Sequence, residues 1–90
     1  VEVDTGNAGY DKYSTTFNAT TDWGSASGGQ YSINFNHGLG TAELIVQAWD
    51  TGTNKVVNPD EIEYVDNNNV KIYVTETPDK RFAGRVVIIK

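Results

Sequence analysis

Hydrophobic and polar positions alternate with a period of two along most of this chain. The alternation is strongest in the middle. In Gln30–Asn36, Tyr31, Ile33 and Phe35 alternate with Gln30, Ser32, Asn34 and Asn36. In Ala42–Asp50, Leu44, Val46 and Ala48 alternate with Ile45, Gln47 and Trp49. A period of two sends each set to one side of a sheet. The link between these strands, His37–Thr41, contains Gly38 and Gly40, which enter the positive-φ region without the strain other residues meet there. Two strong strands around a glycine corner organise the chain.

The remaining segments follow the same rule. Tyr13–Ala19 alternates Tyr13, Thr15 and Phe17 with Ser14, Thr16 and Asn18, and Thr20–Trp23 continues it or opens a second short strand. Gly24–Gly29 is small and polar and reads as a flexible connection. Asp50–Asn54 reads as a turn pivoting on Gly52, with Lys55–Asn58 leaving it, so 42–58 is expected to form a hairpin that Pro59 ends. Glu61–Asp66 places Ile62 and Tyr64 on one face. Asn67–Asn69 reads as a tight turn, and Val70–Thr75 follows with Val70, Ile72 and Val74 inward and Lys71, Tyr73 and Thr75 outward. Thr77–Lys80 reads as a turn that Pro78 initiates. The closing strand, Arg85–Lys90, has Val86 and Ile88 on one face and Val87 and Ile89 on the other. Such a strand belongs in the centre of a sheet or beneath a cover on both sides. No segment has a helical period. The expected fold is all-β: a small antiparallel β-sandwich of about seven strands, immunoglobulin-like in size but without the Cys…Trp…Cys pattern of antibody domains. Residues 13–90 form the sandwich in this reading, preceded by an arm or linker over 1–12 in which Val1–Val3 reads as a short edge strand.

Composition sharpens the picture. Ninety residues make one domain with a modest core, and the chain has no cysteine to staple it. Unstapled small β modules gain stability by assembling. Net charge is −5, from 7 basic and 12 acidic side chains, and the basic residues are scattered. That argues against nucleic acid as a partner, because phosphate-backbone binding needs clustered Lys and Arg. No apolar run approaches the roughly 20 residues of a membrane helix, so membrane insertion is not expected. A chain opening on Val1 without a signal peptide reads as a piece of a longer protein.

Candidate chemistry is sparse. His37 is the only histidine, and in a glycine corner it reads as a turn residue bonding backbone rather than as a general base. No nucleophile–base–orienter set can be assembled, which makes the expected function non-enzymatic. Gly24–Gly29 lacks the lysine and the following helix of a phosphate loop. Asp50, Asp60, Glu61, Glu63 and Asp66 cluster along the chain without the Asp-x-Asp-x-Asp-Gly pattern of a calcium loop, and Asp66–Asn69 reads as a hairpin turn. No metal and no cofactor is therefore expected. The aromatics are the stronger lead. Trp23, Trp49, Tyr64 and Tyr73 are the candidate ligand-binding residues, because rings with a polar handle suit sugar stacking and wet interfaces. Packing in the sandwich core or against another subunit is the competing use of the same rings.

Residues 17–90 carry a set of turn motifs: His37-Gly38-Leu39-Gly40-Thr41, a strand ending at Asp50, Pro59-Asp60-Glu61-Ile62, Asn68-Asn69-Val70-Lys71-Ile72, and Gly84-Arg85-Val86-Val87-Ile88-Ile89. In these the chain resembles small β-sandwich modules of bacteriophage tail fibres, tailspikes and other virion appendages. The motifs mark scaffold turns and not a catalytic centre. The resemblance implies a module of the extracellular virion that is commonly trimeric and often C-terminal. It implies service in host-surface attachment, chain trimerisation or fibre folding, with a bacterial surface glycan and other virion proteins as partners. The two-faced strands Ala42–Asp50 and Arg85–Lys90 separately predict that a neighbouring subunit covers one face of their sheet, as in a homotrimer. The competing cover is intramolecular, by the N-terminal arm or by Gly24–Gly29.

Overall fold

The computed structural model describes residues 12–90, which fold as an all-β sandwich of seven strands in two antiparallel sheets. The strands are β1 (Lys12–Phe17), β2 (Gln30–Asn36), β3 (Ile45–Asp50), β4 (Lys55–Val56), β5 (Glu61–Asp66), β6 (Asn69–Thr75) and β7 (Gly84–Ile89). One sheet has the order β1-β7-β3-β4 and the other β2-β6-β5. Of the arm expected over 1–12, Lys12 opens β1 instead, and the rest lies outside the described residues.

Alternation sets the faces. In the three-stranded sheet Tyr31, Ile33 and Phe35 of β2 stand opposite Val74, Ile72 and Val70 of β6, and that face turns inward. In the four-stranded sheet Tyr13, Thr15 and Phe17 of β1 stand opposite Ile88, Val86 and Gly84 of β7. Val46 and Ala48 of β3 flank the same Ile88 and Val86 from the other side. Val70, Ile72, Val86 and Ile88 are fully buried where the two inner faces meet. At one end the core is aromatic, with the Phe17 ring 5.9 Å from Trp23, 5.8 Å from Phe35 and 5.2 Å from Phe82. β7 is central in its sheet, as an apolar strand on both faces should be.

The glycine corner carries the chain from one sheet to the other, and it is built on Asn68. The backbone N–H groups of His37 and Gly38 both donate to the Asn68 carbonyl, at 2.9 and 3.3 Å, and the Gly40 N–H donates to Asn68 Oδ1 at 3.0 Å. Gly38 and Gly40 sit at φ of 67° and 75°. Asn68 itself belongs to the two-residue turn between β5 and β6, which Asp66 Oδ1 holds by accepting from the Asn68 N–H at 2.8 Å.

Several boundaries differ from expectation, each for a local reason. β1 ends at Phe17 because the Asn18 side chain takes over its hydrogen bonding: Oδ1 accepts from the N–H groups of Thr20 and Asp22, so 20–23 is a turn and not a strand. β3 begins at Ile45 and not at Ala42, after Thr41 Oγ1 has accepted the Glu43 N–H. β4 is only Lys55–Val56, although Val57 N–H still reaches the Ala48 carbonyl at 3.0 Å. The 51–54 turn does not pivot on Gly52: Asp50 Oδ1 accepts the Gly52 N–H at 2.7 Å, and Asn54 takes the positive φ of 60°. Gly24–Gly29 ends in an ordered turn, where Ser27 and Gln30 exchange both backbone hydrogen bonds across Gly28 and Gly29 at positive φ.

Candidate functional site

The outer face of the four-stranded sheet is the part of the surface least suited to water. Register defines it row by row. Lys12, Ile89 and Ile45 lie across it in one row, Ser14, Val87 and Gln47 in the next, and Thr16, Arg85, Trp49 and Val56 in the third. Ile45 is 71 % exposed, Val56 56 % and Ile89 44 %. The 57–59 link after β4 walls one side, leaving a groove of about 470 Å³ lined by Trp49, Ile45, Val56, Pro59, Val87 and Ile89 among others. No described residue covers this face, and Gly24–Gly29, bonded to β2 through Gly24 and Ser27, is not its lid.

The charges on this face are both positive. Lys12 and Arg85 lie on it and, among the described strand residues, no carboxylate does, in a chain whose net charge is −5. Arg85 Nη1 donates to Ser14 Oγ at 2.7 Å, which ties the guanidinium toward β1, and Trp49 is the residue opposite Arg85 on β3. The opposite side of the molecule is of the other character. The outer face of the three-stranded sheet carries Ser32, Asn34, Lys71 and Tyr73, with Glu61 and Glu63 on β5 at its edge. There the Tyr73 hydroxyl donates to the Glu63 carboxylate above a shallow hollow of about 490 Å³ that Glu61 and Ile62 share. That hydrogen bond, with the negative charge of both glutamates, pushes the Tyr73 phenol above its ordinary range.

The aromatic residues singled out from the sequence are not brought together. Trp23 is a correction: it is 5 % exposed, packed on Phe17 and Phe82, with Nε1–H donating to the Phe82 carbonyl at 3.1 Å. Its ring is core and presents no face to a ligand. Trp49 is half-buried in the apolar groove. Tyr64 is 43 % exposed at the sandwich edge, where its hydroxyl donates to the Leu44 carbonyl at 2.9 Å and ties β5 to the chain entering β3. Tyr73 stands on the far sheet. Trp49 and Tyr73 are thus two separate platforms on opposite faces, and Tyr64 is a strut.

His37 is a turn residue. It is 7 % exposed, and its Nδ1 accepts the Leu39 N–H at 3.0 Å. An imidazole that accepts at Nδ1 is neutral and carries its proton on Nε2. Nε2 is buried with no partner among the described residues. Burial holds the His37 pKa below its ordinary value, against a smaller upward pull from Asp66. Among the described residues no three histidine or carboxylate side chains converge as metal ligands. Asp66 spends its oxygens on Asn68 and Asn69, which keeps its own pKa low.

Sequence reading missed Lys12 and Arg85 as part of this face. Parity alone aligned Arg85 with Val87 and Ile89, but only the pairing of β1 with β7 brings Lys12 beside Ile89. No protein-family model matches the chain, and comparison with curated proteins and with solved structures likewise gave no match.

Proposed function

We propose that this chain is a non-enzymatic module of a bacteriophage virion appendage, a tail fibre or tailspike, serving extracellular attachment to a bacterial surface glycan. The observation that carries the reading is Trp49, half-buried in a groove and flanked by Gln47, Arg85, Ser14 and Thr16. An apolar ring face beside hydroxyl, amide and guanidinium groups matches what a sugar ring offers: C–H faces to stack and hydroxyls to pair. The turn motifs around His37–Thr41 and Asn68–Ile72 support the same assignment through their resemblance to appendage modules. The absence of enzymatic activity is supported by His37, whose Nδ1 is already engaged by its own turn.

Titration with host polysaccharide tests it, read by tryptophan fluorescence. Trp23 is sealed in the core, so Trp49 is the ring that reports. Trp49→Ala is expected to weaken binding at least tenfold, equivalent to about 1.4 kcal/mol, while Tyr73→Ala leaves it unchanged. No binding by the chain, while the whole appendage binds, would remove this reading.

The exposure of Ile45, Val56 and Ile89 favours a second reading, in which the module joins subunits of a homotrimeric fibre, or caps it against other virion proteins, and holds no ligand. In that case the same Trp49 is buried between subunits and the titration is silent.

A further inference from the structure

We infer that the glycan held at Trp49 is an acidic one, with a sugar carboxylate gripped by the Arg85 guanidinium. The inference rests on the attachment reading above and names the class of its ligand.

Register places the two groups side by side. Trp49 on β3 and Arg85 on β7 are directly opposed, with Thr16 of β1 next in the same row. Just past the end of the ladder, the Thr51 N–H donates to the Ala83 carbonyl. Hydrogen-bonded and non-bonded pairs alternate in an antiparallel ladder, so Trp49 and Arg85 are a bonded pair with Cα atoms about 5.5 Å apart. Both side chains are half-buried. A sugar ring stacked on the indole therefore has the guanidinium within reach of an exocyclic group, with the hydroxyls of Ser14 and Thr16 beyond it.

The two arginines of the chain differ in how far they are satisfied. Arg81 donates from Nε to Asp79 Oδ1 at 3.1 Å and from Nη2 to Oδ2 at 2.8 Å, and it stacks 4.1 Å from the centre of the Tyr31 ring. Arg85 engages a neutral group instead, donating from Nη1 to Ser14 Oγ at 2.7 Å. Its Nε–Nη2 edge is the edge with which Arg81 holds a carboxylate, and among the described residues that edge has no partner. The guanidinium is a planar fork, and this edge lies on the side away from Nη1. The contact that ties Arg85 toward β1 thus leaves its carboxylate-binding edge open.

Charge on the rest of the face points the same way. The chain has 12 acidic side chains against 7 basic ones, yet no described strand residue on this face is acidic. A half-buried cation without a counter-charge keeps its desolvation cost uncompensated. A ligand carboxylate removes that cost through two parallel N–H···O bonds, which are stronger than bonds to neutral acceptors. A neutral sugar offers only hydroxyls to the same edge.

The chain 1–90 is tested against a panel of bacterial capsular polysaccharides, each also presented after reduction of its carboxyl groups to alcohols. Tryptophan fluorescence reports binding, and circular dichroism confirms the fold of each variant. Carboxylate-bearing members are expected to bind, and reduction to weaken them by about tenfold or more. Arg85→Gln is expected to weaken the native polysaccharide as much and to bind native and reduced forms alike. Arg85→Lys, which keeps the charge but loses the fork, is expected to recover only part of the loss. Lys71→Gln removes the same charge from the outer face of the other sheet and is expected to leave affinity unchanged. A wild-type chain that binds native and reduced forms equally overturns the inference and keeps the attachment reading. So does binding confined to members whose charge is phosphate, or a preference for the native form that survives Arg85→Gln. A chain that binds no member of the panel, while the whole appendage does, removes the attachment reading and this inference with it.

Discussion

At the scale of single residues, His37 shows how a lone titratable group becomes structural. Its Nδ1 replaces a backbone carbonyl as acceptor for Leu39 N–H, in a corner too tight to offer one. Protonation would put a hydrogen on Nδ1, end that bond and charge a ring that is 7 % exposed. Burial therefore lowers its pKa in the folded state. The sign follows from proton counting: below about 6.5 the unfolded chain binds the proton more readily than the folded one, so stability falls as pH drops through that value and levels off below the folded pKa. Each unit of lowering corresponds to about 1.4 kcal/mol. As the only histidine in the chain, its imidazole resonance titrates alone. Nuclear magnetic resonance is expected to place its pKa below 6.5, and urea midpoints to be lower at pH 5 than at pH 7.5. Asp66 adds a separate loss in stronger acid. Its pKa is also lowered, by hydrogen bonds from Asn68 and Asn69, so its contribution is present above about 3.9 and disappears as pH falls through its folded value.

At the scale of elements, what each strand does depends on how its ends are made. β7 begins at Gly84, which lies opposite Asp50 at the end of β3. A Cβ on Gly84 would run into the Trp49 carbonyl oxygen and come within 2.9 Å of Phe82 Cε2. The first obstacle is backbone of the neighbouring strand and the second is packed among Phe17 and Trp23, so neither yields easily. Gly84→Ala is expected to destabilise the fold by about 2–3 kcal/mol through overpacking, measured by urea denaturation. Gly28 and Gly29 contrast with it: a Cβ there meets nothing within 4 Å, and only their positive φ demands glycine. At the other end of its sheet, β4 stops at Val56, but the chain stays near β3 through Val57 long enough to wall the groove before Asp60 crosses to Tyr73.

At the scale of the whole molecule, two sheets share one core and no covalent staple. β6 lies between β2 and β5, β7 between β1 and β3, and their buried residues Val70, Ile72, Val86 and Ile88 meet in the middle. Opening either sheet exposes the other, so both are expected to unfold together. Native-state hydrogen exchange is expected to give the inner amides of β6 and β7 the same, highest protection, equal to the global unfolding free energy, with β4 and the free edge of β5 exchanging through smaller openings. Distinct protection limits for β6 and β7 would show that the sheets unfold separately. Charge is distributed at this scale as well: Lys12 and Arg85 lie on the outer face of the four-stranded sheet, and Glu61 and Glu63 on that of the three-stranded sheet.

Local pattern by itself determined which side chains share a face. Side-chain direction in a strand repeats every two residues whatever the strand pairs with, so Val86 and Ile88 were separable from Val87 and Ile89, and Ile45 and Trp49 from Leu44 and Val46, before any partner was known. The all-β class and the turns read at Asn67–Asn69 and His37–Thr41 were legible for the same reason, although Asn69 already belongs to β6: they depend on residues a few positions apart. Strand ends were less legible, because side chains such as Asn18, Thr41 and Asp50 compete for the backbone hydrogen bonds a strand would use. What lies beside what was decided by tertiary structure alone. Parity could not say that Trp23 packs inside while Trp49 faces the groove, or that Lys12 stands next to Ile89 across 77 residues of chain. Those placements depend on which strand ends adjacent to which, and that is chosen by the best burial for the chain as a whole and not by any one segment of it.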